Sequence, residues 1–364
     1  MVDRSSDVDR EAVVLDRITA FRRRRPRLTD EVITLAHGAG GKASAALVDA
    51  VFADAFIGRD HGPMPDAATL ELPGGQRLAF STDTFVVSPW CFPGGSIGHL
   101  AVNGTVNDVA VQGGRPLWLS AAFIIEEGFT VSALRGIVAD MAAAAALAGV
   151  AVVTGDTKVV GRGAADGIFV TTAGLGVIPA GRSLGPELVR AGDRVIVSGT
   201  IGDHGMAVML ARGNLGLEAD IRSDTAPVNG LVEALLRAAP QTRWLRDPTR
   251  GGVGTVCNEL ARDAGVTVVL DEPALPVSPA VAGACDLLGI DPLYVANEGR
   301  LVAVVAPDET AQAVTALRAE AGGQTATVIG EIAAEPEGIV VLRTSFGGTR
   351  IVDMLVGDPL PRIC

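Results

Sequence analysis

Apolar and polar positions alternate along most of this chain in two similar blocks. Residues 1–31 precede them. Arg, Asp and Glu are dense there, and Val13, Val14, Ile18 and Phe21 recur at helical spacing, which reads as a short surface helix or a mobile N-terminal extension. In the first block, Thr69–Leu72 and Leu78–Thr82 flank Pro73-Gly74-Gly75-Gln76, a hairpin signal. Leu117–Ile125 reads as a buried strand and Val131–Ala148 as a helix. Val150–Thr154 and Ile168–Ile178 read as strands, the second interrupted by glycine. Pro179–Gly192 breaks the pattern. The second block opens with a strand at Arg194–Ser198, with helices expected near 204–212, 228–238, 252–264 and 309–321. Strands are expected at 266–270, 301–305, 325–329 and 339–343. Hairpins among the helices argue against strict βαβ winding, so the expected class is α+β in two domains, 32–180 and 190–351. Residues 352–364 contain Pro359 and Pro361 and read as an extended tail.

Composition agrees with this division. The 364 residues suit about two domains at roughly 150 residues each. With 48% apolar and 20% charged residues the chain can bury a core and is not disordered. A net charge of −12 with only 10 Phe, 3 Trp and 1 Tyr is poorly suited to neutralising phosphates or stacking bases, so a nucleic-acid partner is not expected. Glycine, at 45 residues, is about 12% against a usual ~7%, which implies many tight turns or close backbone approaches. The longest stretch without Asp, Glu, Lys or Arg, Thr84–Asn107, is interrupted by Pro89, Pro93 and glycines, and Met141–Gly155 is too short for a span. Arg22–Arg25 leads into Pro26, Arg27, Asp30 and Glu31 and not into an apolar segment. The expectation is a cytoplasmic protein with no membrane association. Four cysteines, at 91, 257, 285 and 364, show no CxxC spacing and hence neither a disulfide framework nor a zinc ribbon.

Several motifs carry candidate chemistry. His37-Gly38-Ala39-Gly40-Gly41-Lys42 follows the apolar Val32–Ala36 and precedes an apparent helix, Ser44–Phe56. It matches G-x-G-x-x-A, but Asp60 falls in a loop, where a dinucleotide site wants an acid at a strand end. It is not a Walker A loop, because Ala36 and Ala43 replace the required Gly and Ser/Thr. What remains is either a loop whose N–H groups and Lys42 cover phosphates or an ordinary strand–helix turn. Asp83, Asp108 and Asp156 each end an apolar run; singly each reads as a cap or turn residue, jointly as ligands of a cation such as Mg²⁺. Lys158, two residues past Asp156, follows a strand read as buried and faces either a site or solvent. In Arg246-Asp247-Pro248-Thr249-Arg250-Gly251-Gly252, Asp247 or Thr249 can cap the next helix while the glycines expose N–H groups to an anion. Asn297-Glu298-Gly299 reads locally as a hairpin turn, and Gly202-Asp203-His204-Gly205 as a helix-capping turn. The chain closes on Pro361-Arg362-Ile363-Cys364, a thiol on a proline-stiffened arm, a geometry that fits a carrier better than a fixed nucleophile.

Together these motifs resemble the HypE family of hydrogenase maturation proteins, within the superfamily that includes aminoimidazole ribonucleotide synthetase. The resemblance rests on His37-Gly38-Ala39-Gly40-Gly41, Ser81–Pro89, Phe92-Pro93-Gly94-Gly95, Gly104–Asp108, Gly155–Val160, Asp247–Gly252, Asn297-Glu298-Gly299 and the Pro-Arg-Ile-Cys ending, and it covers about residues 34–364. It implies a two-domain aminoimidazole ribonucleotide synthetase-like fold whose N-terminal sheets pair in a homodimer. It also implies ATP-dependent dehydration, with Mg²⁺, of an S-carbamoyl group on Cys364 to S-cyanide. The carbamoyl group would come from a HypF carbamoyltransferase, and the cyanide would pass to a HypC–HypD iron scaffold for [NiFe]-hydrogenase. By the same resemblance Asp83, Asp108 and Asp156 hold the metal. His37, Gly40, Gly41, Lys42, Asn107, Thr154, Asp247, Thr249, Arg250 and Gly251 bind ATP. Lys158 stabilises oxygen or phosphate, and Glu298 removes the proton. Rivals within the superfamily are a selenophosphate synthetase, which would carry a reactive Cys or Sec near the glycine loop, and a thiamine-monophosphate kinase. A metal-delivery protein using Cys364 and a dinucleotide enzyme are further rivals; no two of His37, His61, His99 and His204 lie within a helical turn.

Overall fold

The computed structural model describes residues 27–38, 40–58, 62, 64–213, 219–355 and 362–364. Most of the N-terminal extension and the middle of the tail, including Pro359 and Pro361, lie outside the described residues. A 3-10 turn, Leu35–Gly38, leads to helix α1 (Lys42–Leu47), which continues through a π-type turn, Val48–Ala53.

The expected hairpin forms. Strand β1 (Ala68–Glu71) pairs antiparallel with β2 (Arg77–Phe85), Glu71 facing Arg77 across the turn. A two-residue hairpin, β3 (Cys91–Phe92) with β4 (Gly95–Ser96), then feeds helix α2 (Ile97–Val111), capped by the Ser96 hydroxyl on the Gly98 amide. Strand β5 (Arg115–Glu126), helix α3 (Val131–Ala148), β6 (Ala151–Val160) and β7 (Ile168–Ile178) complete the first unit. Its sheet runs β1-β2-β7-β5-β6, antiparallel except for the β5–β6 pair that α3 connects.

Helix α3 is the element that sequence marks most clearly. Thr130 accepts the Ala133 amide at one end, and Gly149, at φ +72°, closes the other. Its length and apolar composition would suffice to cross a membrane. Here it buries Ile137, Met141, Ala144, Ala145 and Ala148 in the same core cluster as α2. Helix α2 itself was not expected, because almost every residue of it is buried and no amphipathic period shows.

The second unit is a sheet flanked by helices, and its expected strands and helices all form. It contains β8 (Arg194–Val197), α4 (Asp203–Ala211), α5 (Asn229–Ala238), β9 (Trp244–Arg246), α6 (Gly252–Ala264) and β10 (Thr267–Asp271). Helix α7 (Pro279–Leu288), β11 (Val302–Val305), α8 (Thr310–Ala319), β12 (Thr327–Ala333), β13 (Ile339–Arg343) and β14 (Thr349–Val352) follow. The sheet order is β14-β13-β10-β12-β8-β11-β9. Val195, Val197, Val302, Val304, Leu270 and Ile329 fill its core, each burial contributing about 1.5–3 kcal/mol.

Two asparagines of α2 tie the units together. Asn103 Nδ2 donates to Thr225 Oγ1 at 3.1 Å. Asn107 Nδ2 donates to the Ala226 and Glu298 carbonyls, and its Oδ1 accepts the Val228 amide at 2.8 Å. One expectation is corrected. Strand β6 extends through Val160 and is exposed along nearly its whole length, so Gly155-Asp156-Thr157-Lys158 lies inside an uncovered edge strand and not after a buried one.

Candidate active site

Where the two units meet, Asp66 from the approach to β1, Asp108 from α2 and Asp247 from the end of β9 each bring a carboxylate oxygen within 4.8 Å of the others. Ser81 Oγ donates to Asp108, and Arg246 Nε pairs with Asp66 at 2.8 Å. Asp83, on β2, adjoins them. Burial, and then mutual repulsion, push the Asp108 and Asp247 carboxyls well above the usual carboxylate range. Burial raises Asp66 to about 6, against the pull of Arg246, and raises Asp83 against the pull of Arg250. Asp247 Oδ2 is buried with no hydrogen-bond partner. Buried carboxylates held this close cost several kcal/mol unless positive charge offsets them, so this set could hold a cation. Hard oxygen donors in this number suit Mg²⁺.

Glu298 stands in the same field. It is buried, and its Oε1 has no hydrogen-bond partner. The neighbouring backbone fixes it: Asp224 Oδ1 accepts its amide, and Asn107 and the Ala226 amide donate to its carbonyl. Burial, then the Asp247, Asp224 and Asp83 charges, raise its carboxyl well above the ordinary value, and Arg250 opposes them. The Asn297-Glu298-Gly299 segment is therefore not the hairpin turn that its composition permits. Asn297 pins it, accepting the Gly202 amide at 2.7 Å and donating to the Pro248 and Val295 carbonyls.

The glycine loop lies across the Asp-Pro-Thr-Arg-Gly-Gly segment. Arg250 Nη1 donates to the Gly38 carbonyl at 3.0 Å, and a side chain at Gly40 (φ +79°) would meet Arg250 Cβ at 3.0 Å. Gly251 (φ +76°) and Gly252 (φ +59°) open α6 in the left-handed region, where a side chain at Gly252 would strike the Leu293 carbonyl at 2.5 Å. Thr249 lies beside them in the same loop, its amide donating to the Asp247 carbonyl. Lys42 Nζ pairs with Asp353 at 2.9 Å, and its amide donates to Leu355, so the lysine ties the loop to the base of the tail. His37 is buried and accepts the Thr34 amide within its own turn.

Asp156 and Lys158 stand apart from this centre within one chain. They pair with each other at 2.7 Å on exposed β6. The registers Asp83–Thr172, Thr172–Ala121 and Ala121–Gly155 put three strand spacings, about 14 Å, between Asp83 and that position. Thr154 and Asp156 instead line an apolar cleft of about 720 Å³ between β5–β6 and α3, with Phe123, Met141 and Val152. Of the three acids that the sequence groups as metal ligands, Asp83 and Asp108 lie together within one chain, Asp247 lies with them, and Asp156 lies apart. Asp66 was missed. It carries the signal that marked the others, a lone acid beside an apolar run, and stands in a Pro-rich approach loop near the more conspicuous Asp60.

The end of the tail docks on the first unit. The Val86 amide donates to the Cys364 main-chain oxygen at 3.0 Å and the Ser88 amide to the Arg362 carbonyl at 3.2 Å. The pairing is antiparallel, so the tail points back along β2 with Cys364 opposite Val86. That is three residues, about 10 Å, from Asp83.

The chain matches the AIR synthase related protein, N-terminal domain, over residues 64–178 and the AIR synthase related protein, C-terminal domain, over residues 190–343. It is 55% identical over 340 residues to the carbamoyl dehydratase HypE of Rhodobacter capsulatus, covering 93% of this chain and 99% of that protein. Its fold is similar to the chain in a crystal structure of a HypE–HypF complex, with TM-score 0.80 and 47% identity over 85% of this chain and all of that one. It is also similar to a hydrogenase maturation protein HypE crystallised with ATP, with TM-score 0.76 and 42% identity over 92% of this chain and all of that one. By family matches over both units and identity along nearly its whole length, the chain belongs to the AIR synthase related family and, within it, to the carbamoyl dehydratases HypE.

Proposed function

We propose that this chain dehydrates a carbamoyl group carried on its own Cys364 to a thiocyanate, at the expense of ATP, to supply the cyanide ligands of a [NiFe]-hydrogenase iron centre. The observation that carries this reading is the docked tail: Cys364 lies opposite Val86 and the tail points toward Asp83 and the carboxylate set. An amide oxygen leaves poorly, so the reaction needs it converted to a phosphate ester. One N–H proton is lost as the oxygen takes the phosphoryl group and ADP leaves; loss of the second lets nitrogen form the third C–N bond while the C–O bond breaks and phosphate departs with its electron pair. Mg–ATP, when bound, supplies the phosphoryl group and the charge that steadies it.

The chain's own residues divide the remaining work. Asp66, Asp108 and Asp247, with Asp83 beside them, hold the metal, and Arg250 and the glycine loop from Gly38 to Lys42 line the phosphates. Glu298, buried and with one carboxyl oxygen unengaged, takes the nitrogen proton; a metal bound by these acids would supply charge that favours the ionised form needed for that step. Asn107 and Asp224 hold Glu298 in place. Lys158 and Asp156 reach such a site only from a second copy, and the uncovered edge of β6 is where that copy pairs. We infer a cytoplasmic setting, a HypF carbamoyltransferase as donor and a HypC–HypD scaffold as acceptor.

The test is mass spectrometry of the C-terminal peptide after incubation with carbamoyl phosphate, a HypF-type carbamoyltransferase and ATP. Cys364 should gain about 43 Da and then lose about 18 Da only when ATP is present, as a phosphorylation-driven dehydration requires. Water loss without ATP, or modification of Cys91, Cys257 or Cys285 instead, sinks the reading.

A further inference from the structure

His204 is fully buried, and the chemistry above makes no use of it. It stands in the first turn of α4, edge-on to Phe92 with ring centroids 5.4 Å apart. Both ring nitrogens are engaged. Nε2 lies 2.6 Å from the Ile363 carbonyl, which can only accept, so Nε2 carries the proton. Nδ1 then accepts from the Ser223 hydroxyl at 2.8 Å, and that oxygen accepts the Thr225 amide at 3.1 Å. Desolvation pushes the imidazole's proton affinity down, which favours the neutral ring with its proton on Nε2. A second donor reads the same tripeptide. Arg212 Nη2 donates to the Arg362 carbonyl at 2.8 Å while its Nε holds the Ser88 carbonyl at 2.8 Å. The Ile363 side chain is buried in the core shared with Met206 and Phe92. Arg362 pairs with Asp166 and, at φ +55°, is the positive-φ residue other than glycine among the described residues. A non-glycine residue keeps that conformation only where its surroundings enforce it.

We propose that His204 and Arg212 are positioning residues that latch the last three residues of the chain through their carbonyls and so hold Cys364 at the end of β2. The donors read main chain, and the one buried side chain they seat is Ile363. The latch therefore accepts Cys364 whether its sulfur is free or carries a small group, and it sets where that sulfur stands without touching it. His204 does for the tail what Asp224 does for Glu298: it acts through another residue.

The site of attachment rests on the function proposed above, but the latch can be tested apart from it. Full-length protein is treated with carboxypeptidase Y, and loss of Cys364 is followed by intact mass. In parallel, alkylation of the buried Cys257 and Cys285 reports whether the fold is intact. His204→Leu should speed release of Cys364 about tenfold, the effect of losing one short buried hydrogen bond. His204→Gln, which can return an N–H donor to the Ile363 carbonyl, should stay within about threefold of wild type, a rescue that a purely space-filling role does not predict. Arg212→Leu should behave like His204→Leu, and it decides the matter if His204→Leu exposes the buried cysteines. Unchanged release in a folded His204→Leu or Arg212→Leu protein overturns the latch, as does a His204→Gln variant digested as fast as His204→Leu. If the latch holds while no carbamoyl group ever appears on Cys364, the docking inference survives and the function proposed above fails.

Discussion

Asp224 Oδ1 accepts the backbone amide of Glu298 at 3.1 Å, and its charge is among those that raise the Glu298 carboxyl. One carboxylate thus both places a second and strengthens its hold on a proton. Without a cation nearby, Glu298 holds its proton more tightly than an ordinary carboxyl does, and positive charge beside it favours the ionised, basic form. Glu298→Gln keeps the shape of the site and removes the proton acceptor. It is expected to leave carbamoylation of Cys364 intact and to slow ATP-dependent water loss by 10²-fold or more, within the usual range for a general base. Peptide mass spectrometry distinguishes the two steps, and a fall in carbamoylation would remove Glu298 from the role given it.

The carboxylate set gives a pH signature. A carboxyl whose folded value lies above its unfolded one binds the proton more tightly in the native state, so its contribution to stability is lost as pH rises. For Asp66, raised from 3.8 to about 6, that loss spans about pH 4 to 6 and amounts to at most about 3 kcal/mol. The metal-free protein should therefore melt lower at pH 8 than at pH 5. Added MgCl₂ should raise the melting temperature at pH 8 and do little at pH 5, where protons occupy the oxygens. Asp66→Asn should stabilise the metal-free protein at pH 8 and blunt the Mg²⁺ response; an undiminished response would place the metal elsewhere.

Gly252 cannot gain a side chain cheaply. Its φ of +59° is left-handed, and a Cβ would lie 2.5 Å from the Leu293 carbonyl and 2.7 Å from that of Val295. Gly252→Ala should cost about 2–4 kcal/mol in urea unfolding through backbone strain and overpacking. Because the same turn carries Thr249 and Arg250, the KM for ATP should rise as well. A stability loss below about 0.5 kcal/mol would mean that the loop relaxes freely, against the steric argument.

How much of this was legible in the sequence depended on whether each signal was local. Helix α3 was readable end to end because caps, period and alanine content agree. Helix α2 was not, because Asn103, Gly104, Thr105 and Asn107 are poor helix formers placed there to face both units, and burial on all sides erases the period. Asp108 therefore reads as the end of an apolar run when it lies in the last turn of α2, beside Asp66 and Asp247. Asp156 is grouped with Asp83 by its chemistry and by the family resemblance; the strand order β2-β7-β5-β6 separates them within one chain, and strand order is not written in local spacing. His204 reads from sequence only as part of a helix-capping turn, because its partner lies 159 residues away.

The separation of Lys158 from Glu298 leads to the sharpest prediction. If two copies pair along β6 and Lys158 serves the partner's site, then Lys158→Ala and Glu298→Gln proteins, each defective in water loss, should complement each other on mixing and reannealing. In a mixed dimer one site combines both lesions, while the other combines a normal Glu298 with the partner's normal Lys158. With half of the dimers mixed and one competent site in each, about a quarter of wild-type dehydration should return, given symmetric pairing. Were Lys158 to act within its own chain, each site of the mixed dimer would retain a lesion and nothing would return. Val153→Pro supplies the control: Val153 is exposed on the edge strand beside an irregularity in its pairing with β5, and a proline there distorts the edge that a second copy would pair with, so the pair should fall to a monomer by light scattering and complementation should disappear with it.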